Sequence, residues 1–348
     1  MEASIIKVLI LSGGAFLFAM ACTPLVSSIL YKYRLGKTIR NSGDTPVFSK
    51  LHANKSGTPT MGGVLIWGTA AIFALAFYYL GYKLGWPFFR ELNFLSRSET
   101  WLPLGVLVAS ALVGLFDDWL DVRGKGTKGG GGLTIGYRLL MYTAIAAIGA
   151  LWFYFKLDRD TFNVPFIGDF HLGWSYILVF ILVIVGTAFS VNETDGLDGL
   201  AGGTLLIGFV TYAVIAFTNG SFNLAALCGI IAGALLAFLW FNITPARFYM
   251  GDTGAMALGI TLGVIAMLTD SPIILMVIGS VFVIESLSVL VQVASKKLRG
   301  KKIFLSTPIH HHFEAKGWSE AKVVMRFWVI AGVSAVAGLV IFLLDRLR

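Results

Sequence analysis

Charge is sparse in this chain of 348 residues: 13% of it is Asp, Glu, Lys or Arg, against 57% apolar residues. Soluble domains carry about 25% charged residues, so the deficit excludes a water-soluble globular class and describes a surface that faces lipid. Cysteine is scarcer still. Cys22 and Cys228 are the two present, both inside apolar runs, which excludes a disulfide scaffold and leaves each as a small hydrophobe. The alternating strand-length segments of a closed barrel are missing. No polar stretch much exceeds about thirty residues, too short for an independent core, so residues 1–348 read as a single integral-membrane domain. The same absence excludes a basic module for nucleic acid.

What is there instead is a series of apolar runs long enough for membrane-spanning helices. About ten are expected, at 5–30, 61–80, 101–118, 137–155, 173–190, 199–217, 222–241, 253–268, 272–293 and 325–344. The fold class is therefore all-α and polytopic, with the bilayer itself as a partner. Residues 19–22 faintly resemble a cleavage site, but the apolar run continues to Leu30 and the positive charge follows it, so the first helix is expected to be retained. Of the 27 basic residues, 19 lie in alternate loops: six in 31–60, four in 119–138, Arg247, and eight in 294–326. The positive-inside rule makes that side cytoplasmic and places both termini outside. The net charge of +8 then reads mainly as topology.

The acidic clusters fall on that same side, at the ends of apolar runs. Carboxylates beside hydrocarbon are costly and are usually kept for a partner. Asp117, Asp118 and Asp121 form a pattern that suits Mg²⁺ bound to a diphosphate, since hard cations share oxygen ligands with substrate phosphates; a solvated helix end is the plainer alternative. Asn192, Glu193, Asp195 and Asp198 precede another span in a glycine-punctuated segment. Capping explains one of those carboxylates but not the set. Asp252, between Gly251 and Thr253, opens a helix as a cap or as a ligand. Lys55, Lys125, Lys128 and Arg138 suit phosphate neutralisation or simply mark the inner face, and the run Gly129 to Gly132 suggests a loose loop. His310, His311 and His312 are contiguous and so poorly placed to share one metal ion; hydrogen bonding to a phosphate or nucleotide fits them better. Glu285 and Gln292 share a helix face, the first read as an interhelical hydrogen-bonding group and the second as able to line the site. Tyr249 is a candidate base-stacking ring.

The segments 57–63, 115–118, 192–199, 248–252 and 308–314 resemble, in order and spacing, the phospho-N-acetylmuramoyl-pentapeptide-transferase branch of the polyprenyl-phosphate N-acetylhexosamine-1-phosphate transferase superfamily. The resemblance runs from about residue 30 to 330. It implies transfer of phospho-N-acetylmuramoyl-pentapeptide from its UDP conjugate to undecaprenyl phosphate, giving lipid I and UMP with Mg²⁺, at the cytoplasmic face of a bacterial inner membrane. It also implies a homodimer. Carried over by matching motifs, Asp252 is the Mg²⁺ ligand, and Asp117 and Asp118 serve the lipid phosphate or the metal, with Asp117 as base. His311 joins this catalytic set. Lys55, Thr60, Asn192, Asp195, Gly196, Leu197, Asp198, Asn242 and Tyr249 form the uridine side, with Gln292, His310 and His312 nearby, and Lys125, Lys128 and Arg138 on the phosphates. The sequence departs from the family pattern at Asp121, Arg138, Phe189, Glu193 and Tyr249, and the run from Gly129 looks inserted. A sibling transferase using UDP-N-acetylglucosamine and an intramembrane prenyltransferase are the alternatives. The histidine loop argues against the first, and Asp252 would be idle in the second. A transporter would need polar groups near mid-membrane, and apart from Glu285 the charges cluster at helix ends.

Overall fold

Each long apolar run becomes a helix because, in hydrocarbon, every backbone N–H and C=O must be satisfied within its own segment. The structure, a computed structural model, describes residues 1–36, 55, 57–96, 99–125 and 132–347. Lys128 and residues 129–131 of the glycine run lie outside the described residues. The chain begins with α1 (Glu2–Lys32), α2 (Val64–Tyr78), α3 (Pro87–Leu92), α4 (Trp101–Val122) and α5 (Ile135–Lys156). A short hairpin follows, β1 (Thr161–Val164) and β2 (Gly168–His171). Then come α6 (Ser175–Thr194), α7 (Leu200–Thr218), α8 (Phe222–Asn242), α9 (Asp252–Leu268), α10 (Pro272–Ile278), α11 (Ser280–Arg299), α12 (Ile309–Ala315) and α13 (Glu320–Asp345).

Among the described residues, eight helices are long and apolar enough to cross a membrane: α1, α2 with its continuation to Lys83, α4, α5, α6, α7, α8 and α13. The pair α10 and α11 makes a ninth if it is one span, and α9 is apolar but shorter at 17 residues. Two expectations change. The single span read over 272–293 is broken at Gly279, where the two helices bend by 85°. Glycine is a poor helix former, and a Cβ at Gly279 would lie 2.9 Å from the Leu275 carbonyl oxygen. The all-α reading also meets an exception in the hairpin, which pairs Thr161 with His171 and Val164 with Gly168.

Central and peripheral helices differ in how much they bury. In α8, 83% of the most apolar stretch is inside the protein, against 17% in α1, so α8 is core and α1 faces lipid on most of its surface. Around α8 pack α1, α2 and α7, while α9 packs on α4 and α6. Small residues allow these approaches, as expected where packing rather than water exclusion drives association. A Cβ at Gly233 of α8 would lie 2.1 Å from the Ser12 carbonyl oxygen of α1. One at Gly63 would lie 2.4 Å from the Gly254 Cα at the start of α9.

Hydrogen bonds tie the two ends of the bundle separately. At one end Tyr31 donates its hydroxyl to the Arg247 carbonyl at 2.8 Å, and the Thr60 N–H reaches the Leu35 carbonyl at 2.9 Å. At the other, Lys7 donates to the Asn93 carbonyl at 2.7 Å and to Asn223 at 3.1 Å, and Arg346 donates to the Thr218 carbonyl at 2.7 Å. Both ends of the described chain therefore share one end of the bundle. The acidic clusters share the opposite end.

Candidate active site

At that end α4 runs close against the first residue of α9. Gly114 permits it, because a Cβ there would lie 2.3 Å from the Asp252 carbonyl oxygen. The approach delivers Asp118 to the helix N-terminus: its carboxylate accepts the N–H of Asp252 at 3.1 Å and of Thr253 at 2.9 Å. Thr60 donates its hydroxyl to the same group at 3.4 Å. Free N–H groups and the helix dipole both favour an anion here. Asp118 thus holds Asp252 in place, and at 3% exposure it is no solvated helix end.

Asp117, next to it and 2% exposed, points into a different network. It accepts the Leu133 N–H at 2.6 Å and the Arg138 Nε at 2.8 Å. The same guanidinium reaches Asp252 through Nη2 at 2.8 Å and the Asn192 side-chain oxygen through Nη1 at 3.4 Å. Asn192 in turn donates its amide to Asp252 at 2.5 Å. Four helices, α4, α5, α6 and α9, so bring two carboxylates and an amide around one cation. Arg138 also lines a cavity of about 20 Å³ with Tyr142, Phe189, Asn192 and Glu193, which unites three of the positions where the sequence departs from the pattern it resembles. Lys125 is exposed just beyond α4.

A second centre is built on the turn between α6 and α7, where Asp195 caps α6 and Gly199 takes a left-handed conformation with φ 81°. Asp198, 4% exposed, accepts the Lys55 ammonium at 2.7 Å and the Ala246 N–H at 3.0 Å. Glu320, in the first turn of α13, accepts both the Asp198 N–H at 2.8 Å and the Lys55 ammonium. Burial works against the charge on Lys55, but the two carboxylates outweigh it and hold its pKa above the ordinary lysine value. Asn242 is fully engaged as a fastener: its oxygen accepts the Gly199 N–H at 3.0 Å and its amide donates to the Phe248 carbonyl at 2.9 Å. Leu197 is buried against Leu200, Val323 and Phe327, so its side chain packs rather than contacts solvent.

The segment 58–63 joins the two centres. The Gly62 and Gly63 N–H groups donate to the Tyr249 and Met250 carbonyls at 2.8 and 2.9 Å, and the Tyr249 N–H donates to Pro59 at 2.8 Å. Burial, only partly offset by a hydrogen bond with Thr58, pushes the Tyr249 phenol above its usual pKa.

The histidines divide their tasks. Gln292 closes the loop before them by accepting the Ile303 and Phe304 N–H groups at 2.9 and 3.0 Å and donating to the Phe304 carbonyl at 2.9 Å. Its polar atoms serve the backbone, not an open face. His310, fully buried, sets Nδ1 2.9 Å from the equally buried Glu285, and His311 sets Nδ1 2.7 Å from Glu314. A Cβ on Gly196 would lie 2.4 Å from His310 Nε2 and 3.4 Å from His311 Nε2, so both ring edges face the 195–198 turn. His312 accepts the Leu305 N–H through Nδ1 at 3.1 Å, and burial followed by Lys316 lowers its pKa.

Among the described residues, no three His, Cys, Asp or Glu side chains are arranged to enclose a metal ion. Asp117, Asp252 and the Asn192 oxygen nevertheless fit Mg²⁺, which takes one or two carboxylates and completes its shell with water and substrate phosphates. The guanidinium between them marks where positive charge is held. Sequence reading left Glu320, Glu314 and Tyr142 without a role. Only Glu320 carries a local signal, as the acidic residue after Ser319 at a helix start, and that signal names no partner.

Known proteins resemble this chain over nearly its whole length. A family model described as glycosyl transferase family 4 matches residues 100–270, and the phospho-N-acetylmuramoyl-pentapeptide-transferase signature 1 matches residues 55–66. The chain is 41% identical over 346 residues to the phospho-N-acetylmuramoyl-pentapeptide-transferase of Shouchella clausii, covering 98% of each protein. It is 39% identical to that of Desulforudis audaxviator, covering 96% of this chain and 98% of the other, and 39% identical to that of a Geobacillus strain, covering 94% and 95%.

Proposed function

The chain belongs to the phospho-N-acetylmuramoyl-pentapeptide-transferase family, and from that premise we propose that it moves phospho-N-acetylmuramoyl-pentapeptide from UDP to undecaprenyl phosphate. The products are lipid I and UMP, a step of peptidoglycan biosynthesis. The observation that carries this reading is the convergence of Asp117, Asp252 and Asn192 on one guanidinium at the ends of apolar helices. A lipid phosphate and a soluble nucleotide diphosphate must meet where membrane ends, and both are anions.

An oxygen of the lipid phosphate attacks the sugar-linked phosphorus of the donor. The bond from that phosphorus to the bridging oxygen breaks and UMP leaves with the electron pair. Asp252 and Asp117 would hold Mg²⁺, which when bound supplies charge neutralisation on the diphosphate. Asp118 orients Asp252 through the α9 cap and does not need to touch substrate. Asp117 accepts any proton remaining on the attacking phosphate. Lys55, Asp198 and the 195–198 turn shape the uridine side, with Tyr249 adjacent and the His310 and His311 edges closing over it. His311, steadied by Glu314, donates toward the diphosphate. Lys125, exposed just beyond α4, adds positive charge nearby.

The topology follows from the same end of the bundle. We place α9 and the bent pair α10 and α11 among the membrane-crossing elements, so that the chain crosses ten times with both termini outside and the site on the cytoplasmic face of a bacterial membrane. The excess of Lys and Arg in the loops at the site end supports this.

The deciding experiment offers detergent-solubilised protein undecaprenyl phosphate with either UDP-N-acetylmuramoyl-pentapeptide or UDP-N-acetylglucosamine, with Mg²⁺ or with chelator. UMP should appear from the muramoyl donor alone and stop with chelator. UMP from the N-acetylglucosamine donor alone would assign the chain to the sibling chemistry.

A further inference from the structure

Arg138 stands on the oxygens proposed above to hold a divalent cation. Its guanidinium contacts Asp117 and Asp252, each at 2.8 Å, and the Asn192 oxygen at 3.4 Å. Guanidinium stays protonated across the working pH range, so this is a permanent positive charge on the oxygens proposed to hold metal. A monovalent and a divalent cation a few ångströms apart on the same carboxylates repel each other, so each weakens the other's hold on those oxygens.

A further carboxylate lies beside the guanidinium. Arg138 borders a cavity of about 20 Å³ whose wall also includes Glu193, one residue past Asn192 on α6, together with Tyr142 and Phe189. Glu193 is half-buried and within electrostatic reach of Arg138, His310, Glu285 and Asp252. Resting on the metal assignment made above, we infer that Arg138 is an exchangeable counter-ion: it competes with the divalent cation for Asp117 and Asp252, and Glu193 is the carboxylate that receives it when the cation binds. The carboxylates are thereby kept paired in both conditions. Neither ever faces the other without a cation between them, which in a buried site is the costly arrangement.

The test is direct Mn²⁺ binding to the purified full-length protein, followed by electron paramagnetic resonance without nucleotide or lipid. Arg138→Gln should bind Mn²⁺ about tenfold more tightly than the unaltered chain, the scale of effect that neighbours of a metal ligand exert. Arg138→Lys, which keeps the charge but lacks the fork that spans both carboxylates, should fall between them and covers the case in which the glutamine variant does not fold. Glu193→Gln should weaken Mn²⁺ binding by a similar factor, and that effect should shrink in the Arg138→Gln background, because Glu193 acts through Arg138. Arg123→Gln is the control: Arg123 is exposed against Trp119, and its loss removes the same charge without touching the carboxylates, so affinity should not change.

Unchanged or weaker Mn²⁺ binding in both Arg138 variants would overturn the exchange. So would a Glu193→Gln effect of equal size with and without Arg138, which would reduce Glu193 to a general electrostatic contribution. Failure of the underlying assignment is separable: Mn²⁺ binding that survives in Asp252→Asn would remove the metal from these oxygens, and donor turnover is read independently as UMP release.

Discussion

Asp117 and Asp118 are neighbours in the chain that work in different networks, the first in the charged cluster with Arg138 and the second as the cap of α9. Helical geometry alone separates their side chains by about 100°, enough to send one toward α5 and the other toward α9. Asp252 draws on both networks, since its backbone is held by Asp118 and its carboxylate by Arg138 and Asn192. Asp252→Asn keeps the shape and removes the charge, so UMP release should fall by at least about 100-fold while thermal unfolding stays near that of the unaltered protein. Retained turnover would take Asp252 out of the proposed metal site. Lys55 gives a prediction about pH. Its pKa lies above the free value, so its pairing with Asp198 and Glu320 is complete below the free lysine value of about 10.4 and is lost only as pH rises through the higher folded value. Lys55→Met should therefore lower the unfolding midpoint by the same amount at every pH from about 7 to 9. A gap that widens or closes within that window would mean that another titrating group governs this centre.

Elements meet here through their smallest residues. Gly114 has no functional group, yet the distance it permits between α4 and α9 is what lets Asp118 cap α9. Gly114→Ala should push the two helices apart, cost about 1–3 kcal/mol of stability and reduce UMP release sharply although every charged residue remains. Normal activity in that variant would show that the α4 end tolerates displacement. The broken pair α10 and α11 belongs to the same scale. Its apolar run is continuous in the sequence, and a hydropathy pattern reports length but not direction; the 85° bend arises at Gly279, where only a residue without Cβ fits against Leu275. Gln292 then ties α11 to the loop that carries the histidines, which explains why a residue expected to line the site is occupied by backbone instead.

For the whole molecule, the separation of its two ends predicts accessibility from opposite sides of the membrane. In a background with Cys22 and Cys228 replaced, a cysteine at Lys125 should react with an impermeant thiol reagent only from the cytoplasmic side. One at Ile167, exposed on the turn of the hairpin, should react only from outside. Labelling of both from one side would refute the proposed topology. The sequence by itself determined the composition class, the helical stretches within a few residues apart from the break at Gly279, and which charged residues stand at the helix ends, because lipid demands long apolar helices and charges at their ends stand out against that background. The hairpin at 161–171 was not legible, as its short strands lie in a polar connection between spans. Tertiary structure alone decided that Asp118 caps α9 while Asp117 pairs with Arg138, that Glu320 joins Lys55 to Asp198, that Asn242 and Gln292 fasten backbone, and that Arg138 sits between Asp117 and Asp252. These depend on the rotation of each helix about its own axis and on contacts between residues far apart in the chain. Periodicity within one segment carries no information about either.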